Sequence, residues 1–464
     1  MSERLQALAA SIQKPFRRMR PPQIVALVFL ALVLTGSAVL CLPVCAKSAE
    51  PTSFLTALFT ATSATCVTGL IQVDTGTYWS TFGQVVIILL IQLGGLGFMT
   101  VSTIFFLALR RRIGLRQRMV LAQGLGVSSM SGVVRYVRNV ILGTFCVEGA
   151  GALILFFRFL PEFGFGKALW YGVFHSISAF CNAGFDVLGF LGEYTSLTSL
   201  NDSYLVLFTI MLLIIIGGLG FIVWNDLMAW RKTRTLLLHT KVVLLVTAFL
   251  LLLGTVCFLL FEWNNPATLQ PMSLKEKIGA GCLQSVTMRT AGFNSIDLYS
   301  MHDATKVFSI VLMFIGAAPG STGGGIKVTT IAVIVMTAVS ISRGKDEPYL
   351  LGRRLSANVV YRSLAILFLG IVVSGITAII LILTCPLEQN GLTGVDAAFE
   401  AVSAFATVGV SSGVTAVTNW VGKIALTLTM FIGRVGPVSF GLTLAAQQKI
   451  NRKLIVPEGK IVVG

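Results

Sequence analysis

The chain has 464 residues, of which 55% are hydrophobic and only 12% are charged. Soluble proteins carry about 25% charged residues, so this composition excludes an ordinary soluble domain and places the chain in a lipid bilayer. The net charge of +16 is concentrated in a few connections between apolar runs, and we therefore expect no nucleic-acid partner.

Eight apolar runs reach roughly the 20 residues that a membrane-spanning helix needs. They lie at 24–42, 85–109, 137–160, 205–223, 242–261, 307–341, 364–383 and 424–446, and the sixth and eighth contain interruptions. The first run, with basic residues before it and Val44-Cys45-Ala46 after it, also resembles a signal peptide. Its length and the equivalent helices later in the chain favour a spanning helix.

Positive charge falls on one set of connections. Of the 35 Lys and Arg residues, 25 lie within 4–20, 110–138, 231–241, 343–362 and 449–460. Connections rich in Lys and Arg stay in the cytoplasm. We therefore predict that these segments, and with them both termini, are cytoplasmic.

A short motif occurs four times, each time as small residues followed by a glycine and a bulky residue. The stretches are 62–70, 178–185, 286–293 and 403–410, and their glycines, Gly69, Gly184, Gly292 and Gly409, are separated by 115, 108 and 117 residues. This spacing indicates four degenerate copies of one unit. We place the repeats at 21–110, 134–231, 238–341 and 359–448, between an N-terminal tail (1–20) and a C-terminal tail (449–464).

Before each glycine motif lies a segment too short to cross the membrane. These segments are 53–62, 168–179, 274–286 and 396–404, and about eleven helical residues cover only some 16 Å. Each is predicted to be a re-entrant pore helix that follows a spanning helix and precedes another. The fold class is therefore an all-α polytopic membrane protein, with eight transmembrane helices and four re-entrant pore helices around a central pore.

Non-helical backbone at membrane depth is tolerated only where protein buries it or water reaches it. Four glycine-containing strands around one axis meet this condition by lining a pore, where their carbonyls replace the hydration shell of a cation. The pore helices aim the negative ends of their dipoles at the axis, and no ring of four carboxylates is present, so the pattern favours a monovalent cation. Glycine is common in membrane helices, but four motifs in register favour a pore-lining role over chance.

The second helix of each repeat carries further signals. Repeats 1 and 2 share Gly-Gly-Leu-Gly-Phe at 94–98 and 217–221, which fits either close helix packing or a hinge. Repeat 3 contains Gly316-Ala-Ala-Pro-Gly-Ser-Thr-Gly-Gly-Gly-Ile-Lys327, which predicts a loop inside the membrane. This segment is not a phosphate-binding loop, because Lys327 does not directly follow a glycine and the setting is a membrane span.

Repeat 4 places Arg434 at the matching depth. A charged residue inside a membrane normally faces a partner or a watery cavity. One interpretation is a structural ion pair with Glu148. The other is an electrostatic barrier below the glycine strands, in which Arg434 donates hydrogen bonds to carbonyls of the repeat 3 loop and movement of either gates conduction.

These features together resemble the Trk/Ktr/HKT superfamily of potassium transporters, and within it the Ktr-type bacterial membrane subunit. The resemblance covers essentially the whole chain, from Pro21 to about Lys453. It implies a K+ filter made of Val67, Thr68, Gly69, Leu70, Asn182, Ala183, Gly184, Phe185, Thr290, Ala291, Gly292, Phe293, Thr407, Val408, Gly409 and Val410. It implies a gate made of Ala317, Ala318, Pro319, Gly320, Ser321, Thr322, Gly323, Gly324, Gly325, Lys327 and Arg434.

The resemblance also implies partners, ions and location. K+ is the expected transported ion because Gly69 stands where some sodium-preferring members have serine, and several members depend on Na+. Such proteins form homodimers in the bacterial plasma membrane, on a cytosolic ring of nucleotide-binding regulatory subunits. The basic segment 110–138 suits either an acidic ring or anionic membrane lipids, and with no Rossmann fingerprint we expect no organic cofactor in this chain.

Other function classes fit less well. An enzyme needs a nucleophile and base or a metal cluster, and the three histidines, His175, His239 and His302, are far apart and carry no paired ligand motif. A carrier of organic solutes more often has inverted repeats, whereas these repeats run in one direction. The remaining alternative is a sodium-selective or poorly selective cation transporter of the same fold. The sequence leaves open whether flux is channel-like or coupled to Na+.

Overall fold

The computed structural model describes residues 21–108, 133–345 and 347–436. Nearly all regular structure in these ranges is α-helical, and one small antiparallel hairpin is present. In the first half the helices are α1 (Pro21–Leu40), α2 (Phe54–Cys66), α3 (Thr75–Tyr78), α4 (Thr81–Ala108), α5 (Val133–Phe180), α6 (Tyr204–Gly218) and α7 (Phe221–Thr233). In the second half the elements are α8 (Leu238–Glu262), α9 (Leu274–Thr287), α10 (Asp303–Phe314), α11 (Val328–Ser342), β1 (Tyr349–Leu350), β2 (Arg353–Arg354), α12 (Ala357–Thr384), α13 (Gly394–Ala406), α14 (Val414–Val417) and α15 (Trp420–Val435).

The same order of elements occurs four times: a long helix, a short helix, an irregular strand and a second helix. Helix α5 contributes both the long and the short helix of the second copy, because non-helical backbone at Gly164 (φ 72°, ψ 170°) divides it. Pro161 lies three residues before this break and removes one backbone donor from the helix. The short helices of the four copies are α2, 165–180, α9 and α13.

Length and composition single out four of the described helices as able to cross a membrane: α1, α5, α8 and α12. Helices α6 and α7 give a fifth candidate if they form one span, although they bend by 92° at the break between them. The expected number of eight spans is therefore not reproduced by this criterion. The reason is physical: within the described ranges the second helices of the first three copies are interrupted, so each piece is shorter than the bilayer is thick.

Short helices begin where the sequence offers a cap. Ser53 accepts a hydrogen bond from the backbone N–H of Thr56, and Ser273 and Glu276 form the expected capping box at the start of α9. Thr393 and Asp396 form a second capping box at the start of α13. Each cap satisfies backbone donors that a helix start leaves free.

Burial separates an inner from an outer surface. Large aromatic side chains around the short helices are fully buried, among them Phe59, Phe174, Phe180, Phe293, Phe399 and Phe405. On the outer face of α8, Leu252 and Leu260 are about 70% exposed. Apolar side chains on the outside suit a lipid solvent, so the core is the region around the short helices.

One buried ion pair links the third and fourth copies. The Nζ of Lys306 on α10 lies 2.8 Å from Oδ1 of Asp396 on α13, and both side chains are almost fully buried. Asp396 also forms part of the capping box, because its other carboxylate oxygen accepts a hydrogen bond from the backbone N–H of Thr393. The pair therefore fixes the start of the fourth short helix against the third copy.

Candidate functional site

The four irregular strands share one backbone pattern. Their first residues have left-handed φ angles, at Val67 (57°), Asn182 (59°), Thr290 (69°) and Thr407 (52°). Two residues later the glycines again have positive φ, at Gly69 (97°), Gly184 (69°), Gly292 (86°) and Gly409 (92°). Alternating left-handed residues turn successive carbonyls to the same side of a strand. The second of these positions is glycine in all four strands, as this conformation favours.

These glycines lie next to one another around one axis. A methyl group on Gly69 would lie 2.5 Å from the carbonyl oxygen of Ala183, and one on Gly184 would lie 2.6 Å from the Cα of Gly292. A methyl group on Gly409 would lie 2.0 Å from the carbonyl oxygen of Thr68. The structure therefore brings together all four strands that the sequence predicted as one site.

Serine side chains brace three of the strands. Ser63 accepts a hydrogen bond from the N–H of Gly69 (3.1 Å), and Ser403 accepts one from Gly409 (3.1 Å). Ser178 donates to the carbonyl of Phe185 (2.6 Å). These serines are not among the residues predicted from the sequence, although each lies six positions before its glycine and the repeat spacing contains that signal.

The third strand lacks this brace. Val286 occupies the serine position, and the N–H of Ala291 instead donates to the carbonyl of Thr287 (3.0 Å). Just before this strand, the Arg289 side chain is 8% exposed and its Nε has no hydrogen-bond partner within the described ranges. The third strand is therefore held differently from the other three.

A cavity of about 280 Å³ lies on one side of the four glycines and is lined by all of them. Asp186 also lines it, and burial together with the nearby Asp74 raises the pKa of the Asp186 carboxyl to about 7. Behind the lining residues Ser411, Ser412 and Thr415, the fully buried Glu400 accepts hydrogen bonds from Ser411 (3.0 Å), from the N–H of Ser412 (3.3 Å) and from Thr415. A cation entering this cavity meets carboxyl groups and, behind them, strand backbone.

On the opposite side, the loop between α10 and α11 lies directly under the strands. The hydroxyl of Thr322 is 3.1 Å from Oδ1 of Asn182 and donates to the carbonyl of Phe180 (3.1 Å). Gly323 and Gly324 lie against the hydroxyls of Thr290 and Thr407, since added methyl groups would be 2.1 and 2.0 Å from those oxygens. The loop thus contacts the first residue of three of the four strands.

Backbone hydrogen bonds fasten this loop to the break between α6 and α7. The N–H of Ala318 donates to Gly218 (3.1 Å), that of Thr322 to Gly217 (3.3 Å), and that of Phe221 to Gly320 (2.9 Å). The base of the loop is closed by a parallel bridge between Ile315 and Ile326. The loop is non-helical, as its Gly- and Pro-rich sequence predicted, and its backbone groups find partners in a neighbouring copy.

Two cationic side chains hold the carbonyls of the loop. Arg434 donates to the carbonyl of Thr322 and to those of Gly94 (2.5 Å) and Gly95 (3.4 Å). Lys327 donates to the carbonyls of Gly323 (2.7 Å) and Gly324 (3.1 Å). Three of these five carbonyls belong to the loop and two to α4, so the contacts place two positive charges beside the loop.

Of the two interpretations of Arg434, the structure contains the hydrogen bond to the repeat 3 loop. The ion pair with Glu148 is not formed. The Glu148 carboxyl instead lies 3.1 Å, through both of its oxygens, from the side-chain amide nitrogen of Gln92. Glu148 is 4% exposed, and its main polar partner is the side-chain amide of Gln92.

Glycines of the second helices show both packing and a break. Methyl groups on Gly94, Gly217 and Gly433 would lie 1.9–2.0 Å from carbonyl oxygens of the last or last-but-one residue of the short helix in the same copy. Three residues later the helical backbone is interrupted, with φ of 74° at Gly97 and 88° at Gly220. Close packing is therefore present at the first glycine of the motif and a break at its third, while a hinge motion at that break stays a prediction.

Some predicted segments lie outside the described residues. They are the tails 1–20 and 449–464, the greater part of the basic connection 110–138, and the end of the last apolar run from 437 onward. In the described part of the chain no group of three or more His, Cys, Asp or Glu residues is arranged to hold a metal ion.

A family model for the cation transport protein TrkH matches residues 4–453. The chain belongs to this family. The potassium/sodium uptake protein NtpJ of Enterococcus hirae is 38% identical over 97% of this chain and 98% of its own length. The Ktr system potassium uptake protein B of Bacillus subtilis is 38% identical over 96% of this chain and 97% of its own length.

A solved TrkH-family structure supports the fold. The crystal structure of the potassium transporter TrkH from Vibrio parahaemolyticus superposes with a TM-score of 0.71, covering 92% of this chain and 86% of that one, at 17% identity. At this identity the likeness concerns the fold alone. It agrees with the mostly helical architecture of this family member.

Proposed function

We propose that this chain is the ion-translocating membrane subunit of a potassium uptake system. The single observation that carries the proposal is the ring of four glycines with positive φ, which gathers four strands of backbone carbonyls around one axis. Family membership makes cation transport the expected activity, and the names of the two relatives give K+ as the expected ion.

In this proposal the strands 67–70, 182–185, 290–293 and 407–410 form the selectivity filter. K+ gathers in the outer cavity, where Asp186 and its neighbours supply negative charge, and then exchanges its water shell for strand carbonyls. The C-terminal ends of the four short helices lie one to three residues before the first residue of each strand and add negative potential there. No side chain needs to move for this step.

The loop 317–325 acts as the gate. It contacts three of the four strands from below, so an ion leaving the filter meets loop backbone and the charges of Arg434 and Lys327. Conduction requires the loop to move, and this breaks the carbonyl contacts to both cations. Repeats that start in the cytoplasm place the outer cavity outside the cell, in the bacterial plasma membrane.

The regulatory partner is a cytosolic ring of nucleotide-binding subunits beneath a homodimer of this chain. The support is the likeness to a Ktr system B protein together with the basic cytoplasmic connections. A sodium-selective or poorly selective transporter of the same fold is the second candidate, because the relative from Enterococcus hirae is a potassium/sodium uptake protein.

Growth of a bacterium that lacks K+ uptake tests the proposal. The chain, expressed with and without a Ktr-type regulatory subunit, should rescue growth on limiting K+, and Gly69→Ser should weaken that rescue. Uptake of labelled Na+ without rescue, by a chain shown to be in the membrane, would overturn the potassium assignment in favour of the second candidate.

A second experiment tests the gate. Arg434→Gln keeps a hydrogen-bond donor but removes the charge that holds Thr322, and we expect faster K+ uptake and weaker control by the regulatory subunit. Arg343→Gln, on an exposed cytoplasmic residue, is the matched control. Unchanged uptake and regulation in Arg434→Gln would contradict the gate assignment.

A further inference from the structure

The chain bends sharply between α6 and α7, on the inner side of the membrane. Helix α7 follows α6 after a 92° bend, with Gly220 at φ 88° in the break. If α6 crosses the bilayer close to its normal, α7 runs close to the membrane plane. Helix α8 begins five residues after α7 ends and, at 25 residues, is about 37 Å long. The C-terminal end of α7 therefore lies at the membrane surface from which α8 starts.

The exposed half of α7 has the composition of a membrane interface. Residues 227–235 are all exposed and contain no acid. They include Met228 (60% exposed) and Trp230 (42%), followed by Arg231 and Lys232, while Arg234 lies 5.8 Å from the centre of the Trp230 ring. Tryptophan next to Lys and Arg is typical of the headgroup level of a bilayer.

The buried half of α7 contacts the loop under the four strands. The N–H of Phe221 donates to the carbonyl of Gly320 (2.9 Å). Trp224 spans the bend, because its Nε1 donates to the carbonyl of Ile216 (2.9 Å), and its ring packs edge-on against Phe180 at 5.7 Å. Phe180 is the last residue of the second short helix. A shift of α7 therefore moves both the loop and the end of a pore helix.

We propose that the C-terminal end of α7 and its cap bind anionic phospholipid headgroups through Arg231, Lys232 and Arg234, and that this binding sets the position of the loop 317–325. The proposal rests on the proposed transport function and orientation. Lipid is the occupant because the exposed half of α7 combines its basic residues with apolar ones. Apolar side chains on the neighbouring helices α6 and α8, such as Phe208 (58% exposed) and Leu245 (60%), are exposed as well. An acidic protein is the other occupant that would match the charges, and the experiment below separates it from lipid.

Reconstitution of the full chain into vesicles tests this binding. K+ flux is measured in phosphatidylcholine vesicles with increasing phosphatidylglycerol, and we expect it to depend on the phosphatidylglycerol fraction. The triple variant Arg231→Gln, Lys232→Gln, Arg234→Gln should lose this dependence, since each basic residue near an anionic surface contributes about a fivefold factor, or about a hundredfold together. Retention of phosphatidylglycerol in native mass spectra gives a readout independent of transport.

Three further exposed basic residues supply a matched control. The variant Arg343→Gln, Lys345→Gln, Arg353→Gln removes the same charge from another cytoplasmic connection. K+ accumulates equally at the anionic vesicle surface for both triple variants, so this accumulation does not contribute to the difference in flux between them. Equal lipid dependence and equal lipid retention in the two triple variants would overturn the proposal.

Trp224→Phe separates binding from coupling. This change removes the hydrogen bond across the bend but keeps an aromatic ring against Phe180, so we expect normal lipid retention with a flatter dependence of flux on phosphatidylglycerol. No flux from any chain in any vesicle would refute the transport function, while lipid retention would still decide the binding site. Loss of control by an acidic regulatory subunit, with lipid retention unchanged, would assign α7 to a protein partner instead.

Discussion

Replacing Gly409 with alanine tests whether the four strands require glycine where they meet. At φ 92° an L-residue carries a backbone penalty of about 1–2 kcal/mol. The new methyl group would also lie 2.0 Å from the carbonyl oxygen of Thr68 and 2.8 Å from the Cα of Gly69. Contact distances below 3.0 Å do not persist, so the Thr68 carbonyl must move by about 1 Å, at an overpacking cost of about 1–3 kcal/mol.

The expected result is a protein that loses K+ selectivity before it loses its fold. Displacing one carbonyl by about 1 Å changes the oxygen cage that replaces the hydration shell of K+. We expect at least about a tenfold fall in K+ uptake relative to Na+ uptake, since about 1.4 kcal/mol of lost preference corresponds to that factor. The assay is labelled K+ and Na+ uptake into cells that lack other K+ uptake systems.

Gly164→Ala is the matched control. Gly164 also has positive φ (72°), but an added methyl group would meet nothing within 4 Å. The control should therefore show the backbone penalty as reduced thermal stability, with normal selectivity. If Gly409→Ala kept the wild-type K+ preference, or if Gly164→Ala lost it equally, the assignment of Gly409 to the filter would be wrong.

Other side chains give three further tests. Ser403→Ala should reduce stability by about 1–3 kcal/mol, because it leaves buried groups of the strand unpaired, and it should also lower K+ selectivity. The control Ser374→Ala removes a buried hydroxyl that has no partner in the described structure, and it should change neither property. Thermal unfolding and ion uptake measure the two effects. Lys306→Met should cost about 3–5 kcal/mol by stranding the Asp396 charge, and adding Asp396→Asn should recover part of that loss; equal stability of single and double variants would contradict it. The Asp186 carboxyl, with its pKa raised to about 7, should ionise as external pH rises through 7. K+ affinity should then rise with pH. The free energy of unfolding should fall as pH rises from about 4 to 7. In that range the folded state binds more protons than the unfolded state, because the pKa of Asp186 is higher in the folded protein than the unfolded value of 3.8. Asp186→Asn should flatten both profiles.

Spacing in the sequence was enough to locate the strands, because their requirement is local. The last position of this backbone pattern has positive φ, which favours glycine. The sequence shows this requirement as a glycine that recurs at regular spacing, at Gly69, Gly184, Gly292 and Gly409. The Gly- and Pro-rich segment after Gly316 is likewise predicted to be non-helical from its own residues. Their roles as filter and gate remain proposals.

Interruptions of the second helices were only partly predictable. The break in repeat 3 follows from Pro319 and its neighbouring glycines, whereas the breaks at Gly97 and Gly220 lie in sequences that fit a continuous helix equally well. A glycine permits such a break but does not require one. The close packing of Gly94 and Gly217 against carbonyls of the short helices likewise depends on how separate helices meet, which is not a local property.

By itself the sequence determined that this chain is a membrane protein of four similar copies, because composition and glycine spacing are properties of the chain alone. Only the tertiary structure decided which groups meet. It paired Arg434 with the carbonyl of Thr322 and left Glu148 with Gln92, residues 112 and 56 positions apart along the chain. Such pairs depend on the rotation and depth at which separate helices pack. Many sequences with the same apolar pattern permit several of these arrangements, and side-chain packing around the axis selects one.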